Sequence, residues 1–327
     1  MNNYPEINLA IRVVERYKLT PPVDLLRLGR KYADIEFDHI PFDVDGVSLN
    51  LKIPGKRPRI IVNFNPPESR QRFTLAHEIG HVIIPWHFGS IIDSTDPMQV
   101  KVSDLYWYTE AEANRFASEL LIPSAWAKTI IEEEVYPPKF VNRIVVTANV
   151  SPIAASIKLI QLLSKGYIFC NISETGTVIY SGRSSGTIAN APVWGTNIVP
   201  ESLYSYCRQK WSFSLHGQNF WWWKLPGSMS MPADQDLRDW RSVLDSILDD
   251  LGFSGRERVK LKRRISGIVG AANSAFFVDK RSEASVYASC IQRFDGKEDL
   301  KELVDHQDFR LFLRKRVHNL FLPSVCP

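Results

Sequence analysis

The chain has few cysteines, no long apolar run and almost no charge imbalance. Its cysteines are Cys170, Cys207, Cys290 and Cys326, and no two of them form a C-x-x-C pair. This spacing excludes a disulfide framework and a cysteine-based zinc knuckle, and it is typical of reduced thiols. No apolar stretch approaches the roughly 20 residues that span a bilayer, and the N-terminus lacks the features of a secretory signal. We therefore expect a soluble, cytoplasmic protein with no membrane partner.

The bulk composition is that of a globular chain with more than one domain. Its 327 residues exceed the usual domain length of about 100 to 200 residues. The 44% of hydrophobic residues can supply a substantial core. The net charge of +4 is too small to indicate a nucleic-acid or anionic-membrane partner by itself.

An apolar strand followed by a helix is predicted in the first third of the chain. Arg59 to Phe64 form an apolar run that reads as a strand, and a proline-rich turn follows it. Apolar residues at helical spacing come next, in a helix that we expect Ser69 to cap and Pro85 to end. We expect the strand to border the functional cleft and to hold an extended peptide by β-augmentation.

The predicted helix carries the motif H-E-x-x-H. His77 and His81 lie one turn apart on one face, so both can bind one Zn²⁺ through imidazole. Glu78 lies beside them and can accept a proton from a water molecule that the ion makes more acidic. This combination indicates hydrolysis of a peptide bond, with zinc as the expected metal and manganese as an alternative.

A catalytic site of this kind needs a third protein ligand. Glu110 is favoured, because it heads a predicted helix whose small residues allow a close approach to the first helix. Glu112 and His87 are alternatives; His87 has metzincin spacing, but Ile84 replaces the glycine of that pattern. Asn114, one turn after Glu110, can hydrogen-bond a ligating histidine from behind.

Two sequence blocks together resemble the ImmA/IrrE family of metallopeptidases. They are Arg72 to His81, which contains the motif, and Glu110 to Pro123. The resemblance implies a gluzincin-like zinc site with His77, His81 and Glu110 as ligands and Glu78 as the general base. It also implies a protein substrate, since family members are associated with cleaving DNA-binding repressors in stress responses or mobile-element control.

Patterning and the resemblance together predict an α+β fold in four parts. Residues 1–135 form a zincin-like metallopeptidase domain with a small sheet and an active-site helix. Residues 136–165 form a helix-turn-helix-like pair packed on it. Residues 166–232 form a β-rich domain that senses a signal or selects the substrate, and residues 233–327 form a helical C-terminal region.

Several aromatic residues allow a functional and a structural interpretation. Tyr106 and Tyr108 are candidates for stabilising an oxyanion, although their spacing favours neither of them. The run Trp221 to Trp223 can stack on flat ligands, but alternation along a strand places part of it in the core. We favour the structural interpretation for the tryptophans.

Two features raise the alternative of a regulatory DNA- or ligand-binding protein that uses the zincin fold as a scaffold. The second helix of the predicted helix-turn-helix offers mainly Lys158 for DNA, which is too few polar groups for a recognition helix. The segment from Arg256 to Arg264 holds six basic residues and one acidic residue, but it also carries an apolar stripe. We therefore do not expect direct contact with nucleic acid.

Overall fold

A computed structural model describes residues 4–40, 44–94, 104–276 and 281–322. Cys326 lies outside the described residues. The chain divides into two compact units, one up to Leu163 with Ser212–Phe220 and one of Ser164–Trp211 with the chain from Trp221 onward. The expected α+β class is confirmed, with two small sheets and a helical C-terminal region among the described residues. The division into four parts stays a prediction.

The part of the chain up to Leu163 combines a small sheet with helices. Its elements are α1 (Pro5–Tyr17), α2 (Leu25–Gly29), β1 (Asp34–Asp38), β2 (Val44–Leu51), β3 (Arg59–Asn63), α3 (Glu68–Ile83), β4 (Gly89–Ser94), α4 (Asp104–Leu121), α5 (Ser124–Glu133), α6 (Pro137–Ala148) and α7 (Pro152–Leu162).

The first sheet has the strand order β1-β3-β2-β4. β1 runs parallel to β3, whereas β2 pairs antiparallel with both β3 and β4. β3 is therefore an inner strand whose backbone groups face two neighbours. Our expectation that this strand holds a peptide by β-augmentation is wrong, because only an edge strand has backbone groups available for another strand. Among the described strands, the edges of this first sheet are β1 and β4.

Helix α3 is enclosed by protein on all sides over its second half. Every residue from Thr74 to His81 is buried. On one side the helix packs against β2 and β3, and on the other against α4. Gly80 makes the second contact possible, since a Cβ there would lie 3.1 Å from the ring of Phe116 on α4.

The ends of α3 differ in part from the sequence prediction. The N-cap position is occupied by Pro67, and its side chain makes no capping hydrogen bond. The prediction of Ser69 as the cap is wrong, because the helix already begins at Glu68. The predicted stop is confirmed: Ile84 leaves the helical conformation immediately before Pro85.

Helices α6 and α7 form the bent pair expected from the sequence, and a buried ion pair attaches them to α4. Nζ of Lys158 on α7 lies 2.6 Å from Oε2 of Glu119 on α4. The side chains of Lys158 and Glu119 are 6% and 3% exposed. Ser124 also donates two hydrogen bonds to the Glu119 carboxylate. Lys158, the basic residue that α7 offers for DNA, is therefore buried and paired within the protein.

After Leu163 the chain forms a second sheet and then helices. The elements are β5 (Tyr167–Ile172), β6 (Val178–Arg183), β7 (Gln209–Leu215), β8 (Gln218–Lys224), α8 (Trp240–Asp250), α9 (Gly255–Asn273), α10 (Glu283–Phe294), a short 3-10 helix (Glu298–Leu300), α11 (Lys301–Asp305) and α12 (Phe309–Asn319). The strand order of this sheet is β6-β5-β8-β7.

The tryptophan run lies on β8 and serves as core. Trp222 and Trp223 are completely buried. Trp222 stacks on Phe169 of β5, with ring centroids 5.2 Å apart, while Trp221 and Trp223 stack on each other at 6.1 Å. These contacts agree with the structural interpretation, because the rings of Trp222 and Trp223 have no exposed face on which a ligand could stack.

The helices after β8 have a core of their own. Valine, leucine, isoleucine and phenylalanine side chains from α8, α9, α10 and α12 meet there, with Ile247, Val269 and Phe312 among the most buried. Regular apolar spacing along each helix produces this packing.

Within the described residues, no single helix has the length and apolarity to cross a membrane. By length and composition alone, α6 and α7 pass that test together as a pair bent by 120°.

The buried ion pair makes a testable prediction about stability. Lys158→Met should lower the free energy of unfolding by about 3–5 kcal/mol, because it leaves the Glu119 carboxylate buried without its cation. Urea denaturation measures this loss. The matched control is Lys139→Met, since Lys139 is 70% exposed and lies 3.7 Å from Glu134; it should cost less than about 1 kcal/mol. A loss for Lys158→Met as small as that of the control would contradict the prediction.

Candidate metal centre

Three potential ligand atoms converge inside the first unit. Nε2 of His77 lies 2.9 Å from Nε2 of His81, and both nitrogens face the carboxylate of Glu110 at 3.0 and 3.5 Å. The two histidines project from consecutive turns of α3, and Glu110 projects from α4. All three residues are buried. Among the described residues they form a group that can hold a metal ion.

The outer ring nitrogens of the two histidines, their Nδ1 atoms, face away from this group and contact other side chains. Nδ1 of His77 lies 3.0 Å from the amide oxygen of Asn114. Nδ1 of His81 lies 2.8 Å from Nδ1 of His87. Since the Asn114 oxygen can only accept, Nδ1 of His77 donates, and its Nε2 therefore presents a lone pair to the group. The structure thus places Asn114 against a motif histidine, as the sequence suggested.

The alternative third ligands lie outside the group. Nε2 of His87 lies 2.9 Å from Oε2 of Glu112, and the Trp86 indole donates to the same oxygen at 2.7 Å. His87 and Glu112 are therefore paired with each other, with His87 behind His81. Of the three candidates, the structure places only Glu110 beside both motif histidines.

The donor set fits a divalent metal ion. In a tetrahedral zinc site with metal–ligand distances of about 2.0–2.2 Å, neighbouring ligand atoms lie about 3.3–3.5 Å apart. The two ring nitrogens lie 2.9 Å apart, and they lie 3.0 Å from Oε2 and 3.5 Å from Oε1 of Glu110, which is close to this spacing. Two imidazoles and one carboxylate are also a common protein ligand set of catalytic zinc. Lone pairs directed at one another in a buried place repel unless a cation lies between them.

Burial and mutual contact shift the pKa values of these groups in directions that suit metal binding. Burial lowers the pKa of His81 to about 3, although its contact with the Glu110 carboxylate opposes that shift. Burial alone would raise the pKa of Glu110, but its contacts with the rings of His77 and His81 outweigh burial and lower the pKa to about 2. His81 is therefore neutral and Glu110 ionised near pH 7, as metal ligands must be.

Glu78 is completely buried, and strand β2 holds its carboxylate in place. The buried hydroxyl of Ser48 on β2 donates a hydrogen bond to Oε2 of Glu78. Two residues earlier, Gly46 leaves room for the same side chain: a Cβ there would lie 2.6 Å from Oε1 of Glu78 and 2.6 Å from Cγ2 of Thr74. Sequence reasoning missed both Ser48 and Gly46, because nothing in a strand pattern reveals which glutamate lies opposite.

Tyr106 and Tyr108 differ in exposure. Both lie on α4 within one turn before Glu110, and Tyr108 is 68% exposed whereas Tyr106 is half-buried. Tyr106 precedes Glu110 by four residues and therefore shares its helix face. The role of either residue in stabilising an oxyanion stays a prediction.

The basic segment at the start of α9 is partly neutralised within the protein. Arg258 and Lys262 pair with Asp245 on α8, and Arg264 pairs with Asp299. Half of the six basic side chains thus make ion pairs, as expected for the solvated face of a packed helix.

The fold and the site together define a metallopeptidase-like protein: a buried His-His-Glu group on two packed helices, with a carboxylate from the same motif beside it. Residues 30–159 match the model of a peptidase family described as the IrrE N-terminal-like domain. This match covers less than half of the chain but includes every residue of the metal centre, and it confirms the resemblance to the ImmA/IrrE family. No curated protein matches the sequence.

The close approach of β2 to α3 can be tested by adding one methyl group. Gly46→Ala should lower the free energy of unfolding by about 1–3 kcal/mol, because the Glu78 carboxylate or the Thr74 methyl group must move. Denaturant unfolding measures the change. Gly227→Ala is the control, since a Cβ at Gly227 meets nothing within 4 Å. Equal stability of the two variants would show that β2 and α3 tolerate the methyl group.

Proposed function

We propose that the protein is a zinc endopeptidase in which His77, His81 and Glu110 bind the metal ion and Glu78 is the general base. The observation that carries the proposal is the convergence of three ligand atoms within 4.8 Å of one another on buried side chains. The peptidase family match over the same residues supports it. Manganese is the alternative metal, because its ligand preferences overlap with this donor set.

The metal ligands, Glu78 and Ser48 have different roles in the proposed hydrolysis of a peptide bond. A divalent cation at this centre supplies a Lewis acid that polarises a peptide carbonyl and makes water more acidic. Glu78 accepts the proton of the attacking water and returns it to the leaving amine. The hydrogen bond from Ser48 restricts rotation of the Glu78 carboxylate, so that the base stays oriented. Burial of the whole group excludes bulk water and strengthens these electrostatic interactions.

The substrate that we propose is a protein, with a DNA-binding repressor as the first candidate. Family resemblance supports the repressor, in a stress response or in mobile-element control. The sheet supports an extended substrate segment, because β4 is an edge strand and its neighbour β2 carries the residues that hold Glu78. We propose β4 as the strand that pairs with the substrate, in the cytoplasm.

The alternative of a DNA-binding regulator has less support. Lys158 is buried in its ion pair with Glu119, and half of the basic side chains at the start of α9 are paired within the protein. We therefore propose that any effect on transcription is exerted through the cleaved substrate.

The general-base role makes the sharpest prediction about activity. Glu78→Gln should slow cleavage of a DNA-binding repressor substrate by about 10²–10⁴-fold, because an amide cannot accept the proton. Zinc content should stay at one ion per chain, because Glu78 is not a ligand. Gel electrophoresis with mass spectrometry measures the cleavage, and elemental analysis measures the zinc.

The control is Glu68→Gln, the same isosteric change on an exposed side chain of the same helix. It should cleave like the wild type. Equal cleavage by Glu78→Gln would contradict the general-base assignment. Intact repressor after incubation with the zinc-loaded wild type would contradict the proposed substrate.

A further inference from the structure

His87 lies directly behind one of the proposed metal ligands. It follows α3 by four residues, because Ile84 leaves the helix and Pro85 redirects the chain. The His87 side chain is completely buried, and its ring centroid lies 4.8 Å from that of His81. The six-residue spacing that suggested a metal ligand thus brings His87 to the outer nitrogen of His81.

The hydrogen bonds in this cluster allow one consistent set of donors and acceptors. A carboxylate such as that of Glu112 can only accept, so Nε2 of His87 donates to it at 2.9 Å. A neutral His87 ring has its one N–H on Nε2, so its Nδ1 carries a lone pair and accepts. Nδ1 of His81 must therefore donate to His87 at 2.8 Å. This tautomer leaves the lone pair of His81 on Nε2, which faces Glu110.

We propose that His87, anchored by Glu112, is a positioning residue that fixes the tautomer and ring orientation of His81 for metal binding. The proposal rests on the proposed function, since it assumes that His81 is a ligand. His87 does for His81 what Asn114 does for His77, so that each ligating ring is held at its outer nitrogen. Glu112 is itself held by the indole of Trp86 at 2.7 Å.

The physical reason for such support is the cost of a misdirected imidazole. A buried ring can present either nitrogen to the ligand group, and a buried N–H without an acceptor costs free energy. Partners of this kind behind a ligating histidine typically change metal affinity by about 10–100-fold. His81 reaches the Glu112 carboxylate through a second imidazole, that of His87, which contacts both groups.

Two substitutions at His87 separate its hydrogen bond from its volume. His87→Leu fills similar space without an acceptor, and we expect the dissociation constant for Zn²⁺ to rise about 10–100-fold. His87→Asn places an oxygen near the position of Nδ1 and should stay within a few-fold of the wild type. Competition with a chromophoric chelator, with Zn²⁺ alone as the probe, measures the affinity.

The control is His318→Leu, which removes an exposed histidine paired with Glu283 at 3.0 Å. It should leave zinc affinity unchanged. Visible spectra of the Co²⁺-loaded proteins give a second readout: the bands should change in His87→Leu and return in His87→Asn, because they report ligand geometry.

A double-mutant cycle tests whether Glu112 acts through His87. Glu112→Leu should weaken zinc binding alone and add nothing in the His87→Leu background, because the anchored ring is already absent. Additive losses, or His87→Leu binding zinc like the wild type, would overturn the proposal. If circular dichroism shows His87→Leu unfolded, Glu112→Leu alone decides, and unchanged affinity overturns the proposal. Failure of the wild type to bind zinc would instead overturn the proposed function.

Discussion

The structure depends on the mutual approach of two imidazole nitrogens and one carboxylate oxygen in a buried place. Nε2 of His77, Nε2 of His81 and the carboxylate of Glu110 lie 2.9–3.5 Å apart. Groups that all present lone pairs would separate if nothing held them together. Here the scaffold holds them: α3 fixes two of the groups by its helical repeat, and the packing of α4 against α3 fixes the third.

The residues around these three groups keep them close together and fix their orientation. Gly80 lets α4 approach α3, and Gly46 lets β2 approach Glu78. Ser48 donates to the Glu78 carboxylate, while Asn114 contacts Nδ1 of His77 and His87 contacts Nδ1 of His81. The site is thus assembled from three elements, β2, α3 and α4, and the turn after α3. It needs both small residues, which permit close approach, and polar residues, which set orientation.

The sequence predicted the parts of this site that depend on local geometry. Two histidines four residues apart share a helix face in any α-helix, so His77 and His81 could be paired from the motif alone. Residue spacing does not show which of Glu110, Glu112 and His87 lies beside the two histidines. That depends on how α4 packs against α3. Ser48 and Gly46 were missed because their contacts with Glu78 span about thirty residues and carry no repeating signal.

Local sequence patterns also did not predict the order of the strands in the sheet. An apolar run predicts a buried strand, but it does not say which neighbours the strand pairs with, and β3 proved to be internal. Lys158 illustrates the opposite case. The sequence indicated that the helix carrying this one basic residue packs against the protein. Its partner Glu119 lies 39 residues away, and only the structure identified it.

The central claim is that His77, His81 and Glu110 together bind one divalent metal ion. Zinc K-edge X-ray absorption of the purified, zinc-loaded chain tests it most directly, because the spectrum reports the identity and distance of the atoms around the ion. We predict two imidazole nitrogens at about 2.0–2.1 Å with oxygen completing the shell, and loss of this signature in His81→Ala. Sulfur neighbours, or an imidazole signal that persists unchanged in His81→Ala, would contradict the account.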